Sequence, residues 1–170
     1  MTAKAERQKR KTYAERNREL MTELWGNKLK EYSRWNRTKH DGFSTIPRAL
    51  PQINRILDAL AGTGKPLSQT YTSLWCRTND EGFINVTDKE ILAYEAGFSG
   101  QRAVTTWQSR IKLLEDLGFI TTKSGTKGDF QYILLFNPFT VIHSIYEEKD
   151  KDQRYLALFE RMQEVGSKWN

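Results

Sequence analysis

A chain of 170 residues, 38% of them hydrophobic, is long enough to bury a core and is expected to form one domain with extensions. Its single cysteine excludes an internal disulfide and suits a reducing, cytoplasmic setting, and no apolar run approaches the roughly 18 residues a membrane span needs or forms a signal-peptide segment. The net charge of +6 is unevenly placed: residues 1–40 hold 12 Lys/Arg against 5 Asp/Glu, and residues 41–170 hold 15 against 16, so a basic arm precedes a nearly neutral body.

The arm opens with Lys4-Ala5-Glu6-Arg7-Gln8-Lys9-Arg10-Lys11, which has cations but no apolar face and is expected to be disordered alone. From Tyr13 apolar residues return at Leu20, Leu24 and Leu29. They predict a helix from about Thr12 to Trp35, interrupted or weakened near Gly26-Asn27. Tyr32, Arg34, Trp35, Arg37 and Lys39 interleave rings with cations, a mix whose rings stack on bases or pack on the neighbouring core while its cations hold phosphates. Trp25 is assigned to packing, and Trp35 is left open.

His40-Asp41-Gly42 ends the arm. Leu50 to Ala61 predicts a helix with Pro51 in its first turn and Ile53, Ile56, Leu57 and Leu60 as its stripe. Gly62-Thr63-Gly64-Lys65 invites comparison with a phosphate loop. That pattern fails, because Ala59 stands where the first glycine belongs, Pro66 where Ser or Thr belongs, and the preceding segment is helical. A third helix is expected over Leu67–Arg77, with Leu67, Tyr71, Leu74 and Trp75 near one face and Cys76 as a small core residue. Phe83 to Val86 is short and apolar enough for a strand.

The stretch from Val86 to Pro138 is the most informative. Thr87 stands three residues before Glu90 in the capping-box pattern, and the helix it starts should run to Ala96 and stop at Gly97. Ser99 reads as the next N-cap, leaving Gly97 and Phe98 between two helices, a helix-turn-helix spacing. On the helix from Gly100 to Leu117, Val104, Trp107, Ile111 and Leu114 share one face, while Gln101, Arg102, Thr105, Ser109 and Lys112 fall opposite. Such a face is most often simply solvated, but amides, guanidinium, hydroxyls and ammonium are also the groups that read base edges and grip phosphates. Gly118 should end this helix. Strands are predicted over Phe119–Lys123 and Asp129–Phe136, joined by the five-residue turn Ser124–Gly128. Acidic pairs such as Glu115-Asp116 and Glu147-Glu148 are read as solvated.

Helix, short turn, helix, glycine stop and basic-tipped hairpin, with Leu114-Glu115-Asp116-Leu117-Gly118-Phe119-Ile120 at the junction, resemble the bacterial winged helix-turn-helix DNA-binding proteins over about residues 66–137. The resemblance implies that strand 83–86 joins the hairpin in a small sheet. It also implies that helix 100–117 enters a DNA major groove and that wing 119–136 brings Lys123 and Lys127 to the neighbouring backbone or minor groove. Beyond the hairpin, helices are predicted over Phe139–Glu148 and Arg154–Val165, with Tyr155, Leu158, Phe159 and Met162 striping the last one and Gly166 ending it. That helix either packs back or pairs with a second copy, and the resemblance favours a homodimer.

The expected class is therefore α+β: a basic arm over 1–40, a winged helix-turn-helix domain over 41–137 and a helical C-terminal extension over 138–170. The expected activity is non-catalytic binding of double-stranded DNA by Gln101, Arg102, Thr105, Ser109, Lys112, Lys123 and Lys127. Arg7, Lys9, Arg10 and Lys11 would add salt-sensitive, sequence-blind affinity. His40, His143 and Cys76 have no metal-ligand spacing, and no nucleophile elbow or dinucleotide turn is present, so no metal, cofactor or enzymatic activity is expected. A transcription regulator is the leading role. A plasmid replication or partition protein, a protein–protein adaptor and an RNA-binding module are the alternatives.

Overall fold

Two helices with strong apolar stripes and a three-stranded sheet frame the part of the chain that carries the candidate site. The structure, a computed structural model, describes residues 13–169, and the chain divides into two compact units between Phe43 and Ser44. Arg7, Lys9, Arg10 and Lys11 lie outside the described residues.

In the N-terminal unit, α1 (Tyr13–Trp25) ends where Gly26 takes a φ of +50°, and the chain tightens into a 3-10 turn over Gly26–Lys30. The interruption falls at the glycine, as expected. From Glu31 to Trp35 the chain is not helical, and Trp25 is half exposed rather than packed.

The larger unit begins with α2 (Leu50–Ala61), whose Leu50, Ile53, Ile56 and Leu57 are fully inside. After the Gly62–Pro66 loop comes α3 (Ser68–Arg77). Its start is capped from outside: the Asp58 carboxylate on α2 accepts from the N–H groups of Leu67 at 2.7 Å and Ser68 at 2.8 Å. A carboxylate suits the positive end of a helix, and this one also fixes the angle between α2 and α3. α3 buries Thr70, Tyr71 and Leu74, and the Tyr71 ring meets Phe119 and Trp75 edge-on. Cys76 is exposed, contrary to expectation, because two residues past Leu74 the helix has turned to its opposite side.

The sheet is antiparallel in the order β1 (Phe83–Asn85), β3 (Gly128–Leu135), β2 (Ile120–Gly125). Ile84 pairs with Ile133 and Ile120 with Leu135, all turned inward. Alternation puts Phe83, Tyr132, Leu134 and Lys123 on the other face. β1 thus pairs with the hairpin strand β3, the arrangement the resemblance implies. The core is completed by α4 (Lys89–Glu95), α5 (Ala103–Asp116), α6 (Pro138–Glu147) and α7 (Gln153–Val165). The whole is a mixed α+β arrangement. Among the described residues, no helix is long and apolar enough to cross a membrane.

α7 packs back on α2, burying Tyr155, Leu158 and Met162 within its own unit. Trp169 closes over it, stacked on Tyr155 at 5.3 Å and Phe159 at 6.4 Å, while its carbonyl accepts from Thr140 Oγ1. The stripe expected to meet a second copy is largely used in cis.

Asp152 caps α7, accepting from Arg154 and Tyr155 N–H groups at 3.0 Å each, from Arg154 Nη1 at 2.9 Å and from the Tyr146 hydroxyl at 3.1 Å. Partial burial alone would raise its carboxyl pKa. The hydrogen bonds from Tyr155, Arg154 and Tyr146 outweigh that and hold it below the ordinary carboxylate value, while burial and the facing carboxylate push the Tyr146 phenol up to about 12. A depressed folded-state pKa contributes stability above the unfolded value and loses it as pH falls through the folded one. Asp152→Ala should therefore cost about 1 kcal/mol near neutrality. In urea titrations its deficit against the wild type should shrink below about pH 4, as the wild-type carboxyl protonates.

Candidate nucleic-acid interface

The candidate interface is built on α4, α5 and the hairpin. α4 starts at Asp88, whose carboxylate accepts from the N–H of Glu90 at 2.8 Å and of Ile91 at 3.4 Å. Asp88, and not Thr87, is the cap; its carboxylate also brings a full charge to the helix's positive end. α4 ends with Gly97 at a φ of +84°, its N–H bonding to the Tyr94 carbonyl and that of Phe98 to Ala93. That pair of hydrogen bonds is the Schellman closure, in which the left-handed residue is normally glycine.

The connection to α5 is longer than predicted. Gly100 adopts a second left-handed conformation at a φ of +78°, and α5 begins only at Ala103 with no side-chain cap. Ser99 is not an N-cap. Gln101 and Arg102 consequently lie in the turn before the helix, not on it. From there the predicted amphipathy holds: Trp107, Ile111 and Leu114 are completely buried, and Val104 partly so. Gln101, Arg102, Thr105, Ser109 and Lys112 are all exposed. α5 ends at Gly118, again by a Schellman pair, with the Phe119 N–H on Leu114 and that of Gly118 on Glu115.

The five residues are not equally available. Gln101, Arg102, Thr105 and Ser109 make no side-chain hydrogen bond or ion pair among the described residues. Lys112 does: its ammonium contacts Asp116 closely and lies 4.0 Å from Glu115, and the Asp116 bond raises its pKa. Its charge is already answered on its own helix. Glu115, expected to be merely solvated, accepts from Thr122 N at 2.7 Å and Thr122 Oγ1 at 2.9 Å, tying α5 to β2.

The hairpin turn is shorter than predicted. Gly125 pairs with Gly128, which leaves Thr126 and Lys127 as the tip. Ser124 Oγ donates to Asp129 at 2.7 Å across the ladder. Beneath it, Gln131 is only 5% exposed and accepts from the Lys127 N–H at 2.8 Å. Phe130 takes a φ of +59°, and the register shifts between Lys123 and Gly125. This bulge turns Gln131 inward beneath the tip. A buried glutamine organising a turn leaves no pattern in the sequence, which is why Gln131 was not foreseen.

Two lysines pin the tip to the start of α4. Lys127 Nζ donates to the Thr87 carbonyl at 2.7 Å, and Lys89 Nζ donates to the Lys127 carbonyl at 3.2 Å. Lys127 is thus exposed but engaged, whereas Lys123 on the outer sheet face is exposed with no such bond.

Other residues around the interface were missed. Arg110 points back from α5, donating to the Gly64 carbonyl at 3.4 Å and lying 5.8 Å from the Phe98 ring centroid, so it braces the Gly62–Pro66 loop. Arg77 of α3 forms a two-pronged pair with Glu95 of α4. Tyr94 of α4 is 76% exposed beside the turn, and its place off the Leu92–Ala93–Ala96 face is the signal that could have marked it. Among the described residues no cluster of three His, Cys, Asp or Glu could hold a metal ion. Comparison of the chain with protein-family models, with curated proteins and with solved structures finds no match in any of the three.

Proposed function

We propose that the protein is a non-catalytic, winged helix-turn-helix binder of double-stranded DNA, with a transcription regulator as its role. One observation carries this reading: α5 commits its apolar side to the core and leaves Thr105 and Ser109 outward and uncommitted, with Gln101 and Arg102 exposed and uncommitted in the turn before it. A helix and the turn that leads into it, presenting such groups next to a hairpin carrying Lys123, have the layout that a groove-reading element needs. Arg102 sits where a guanidinium could take a guanine edge bidentately. Lys123, together with the ammonium donors of Lys127 that the Thr87 carbonyl does not occupy, would serve the flanking backbone. Lys112, paired with Asp116, contributes least. The same layout would serve a plasmid replication or partition protein, and selection from a random DNA library, by giving half-site symmetry, separates these roles.

Arg102→Ala should weaken binding to a selected site by about 1–3 kcal/mol while leaving scrambled duplex nearly unchanged. Fluorescence anisotropy on both duplexes at one salt concentration measures this. Equal losses on the two would assign Arg102 to phosphate.

A protein–protein adaptor is the second reading, favoured by the outer sheet face. Phe83, Leu134 and Phe136 are 39–49% exposed there, and Phe83 stacks on Tyr132 at 6.3 Å. An adaptor should show little salt-dependent affinity for random duplex.

A further inference from the structure

The N-terminal unit contains a concavity that the duplex-binding reading does not use. Its volume is about 750 Å³, and Lys30, Tyr32, Arg34, Asn36, Lys39 and His40 are among its lining residues, with no aspartate or glutamate. That volume is in the range of small-ligand sites. We infer that this cavity holds a nucleoside phosphate of an unpaired nucleic-acid strand, with the Tyr32 ring against the base and Lys30 and Lys39 on the phosphate.

The segment is shaped to present those groups. Arg34 Nε donates to the Leu29 carbonyl at 3.3 Å, which folds the chain after the 3-10 turn back onto it. Asn36 Oδ1 then accepts from Thr38 N at 2.9 Å and Thr38 Oγ1 at 2.7 Å, and the Asn36 carbonyl accepts from the N–H groups of Lys39 and His40. This turn brings Lys39 and His40 to the same cavity as Lys30, nine residues earlier in the chain. The Trp35 ring stacks on His40 at 5.1 Å and meets Phe43 edge-on at 6.2 Å, and Arg37 lies 5.3 Å from the Phe43 centroid. These contacts fix the turn without a hydrophobic core. Tyr32 is 51% exposed, so a ring face is accessible.

Chemistry selects the ligand. Cations without a carboxylate among them favour a phosphate. An aromatic ring in a concavity needs a flat partner whose face is free. A duplex hides its base faces in the stack, whereas an unpaired strand offers them, and stacking accepts any base.

The test uses the full chain with labelled oligothymidylate and oligouridylate, a blunt duplex, and thymidine monophosphate as competitor. Tyr32→Leu and Lys39→Ala should each weaken binding of the preferred oligomer by about 10-fold or more, with duplex binding held within about twofold. Lys39 makes no ion pair among the described residues, so its truncation keeps the unit intact, as an unchanged far-UV circular dichroism spectrum would verify. Photocrosslinking should label peptides within residues 26–40. The inference is overturned if the oligomers do not bind, if both variants bind them like wild type, or if both lose oligomer and duplex alike. Crosslinks confined to residues 100–127, or competition by the monophosphate as strong as by the oligomers, would overturn it too. Arg102→Ala separates this site from the one on α5: it should spare the oligomer. Absence of duplex binding with the Tyr32 and Lys39 losses intact would remove the duplex reading alone.

Discussion

Trp107→Ala is expected to unfold the unit that starts at Ser44, and any loss of DNA binding should follow from that. Trp107 is fully buried at the centre of the α5 stripe, and it is the largest of the side chains completely removed from solvent. Removing a buried Trp costs on the order of 3–5 kcal/mol, because the transfer energy of the ring is lost and a cavity is left behind. Against a total of about 5–15 kcal/mol for a domain, that is enough to populate the unfolded state. The indole N–H has no hydrogen-bond partner among the described residues. Trp107→Phe removes that buried donor along with part of the ring, so it should cost much less than the alanine variant. Urea denaturation of the three proteins checks the order. A variant retaining Trp107 but lacking Trp25, Trp35, Trp75 and Trp169 should emit blue-shifted light that a soluble quencher barely reaches. Red-shifted, easily quenched emission from that folded variant, with a stable Trp107→Ala protein, would sink the core assignment and turn α5 over.

The apolar periodicity that predicts Trp107 as buried also predicts nearly every helix, because burial of one face is a property of residue spacing alone. α2 matches its predicted span, and the glycine stops at 97, 118 and 166 sit where left-handed backbone is needed. What the sequence conceals are choices between neighbours. Asp88 and Thr87 both can cap, and only geometry shows that the carboxylate wins. Gly100 reads as a helix start until its positive φ is seen, and that shifts Gln101 and Arg102 from the helix to the turn before it. Cys76 is exposed against the expectation because a short polar helix carries a weak stripe. Lys112 and Lys127 show the same for charge: composition counts cations, but only the fold brings Asp116 and the Thr87 carbonyl against them.

Deleting residues 1–11 is expected to leave the fold intact and to flatten the salt dependence of duplex binding. The segment holds Lys4, Arg7, Lys9, Arg10 and Lys11 against Glu6 alone, and it lies outside the described residues. Each phosphate contact releases condensed counterions, so each one lost should lower the log–log salt slope by about 0.9. If all five cations engage, affinity at low salt should fall by orders of magnitude, while at high salt the full chain and the deletion should converge. Anisotropy titrations across a salt series give the slope directly. An unchanged slope would show that the arm does not touch DNA. A lowered melting temperature would show instead that it packs.

The crossed lysine bonds between the hairpin tip and the start of α4 make the hairpin a fixed prong. A loose finger loses its freedom anew at every encounter and can bend to suit many outlines. Here that freedom has already been surrendered during folding, together with the angle at which the prong leaves the sheet. Whatever surface it meets must match a template cut in advance, so a mismatched one is turned away quickly.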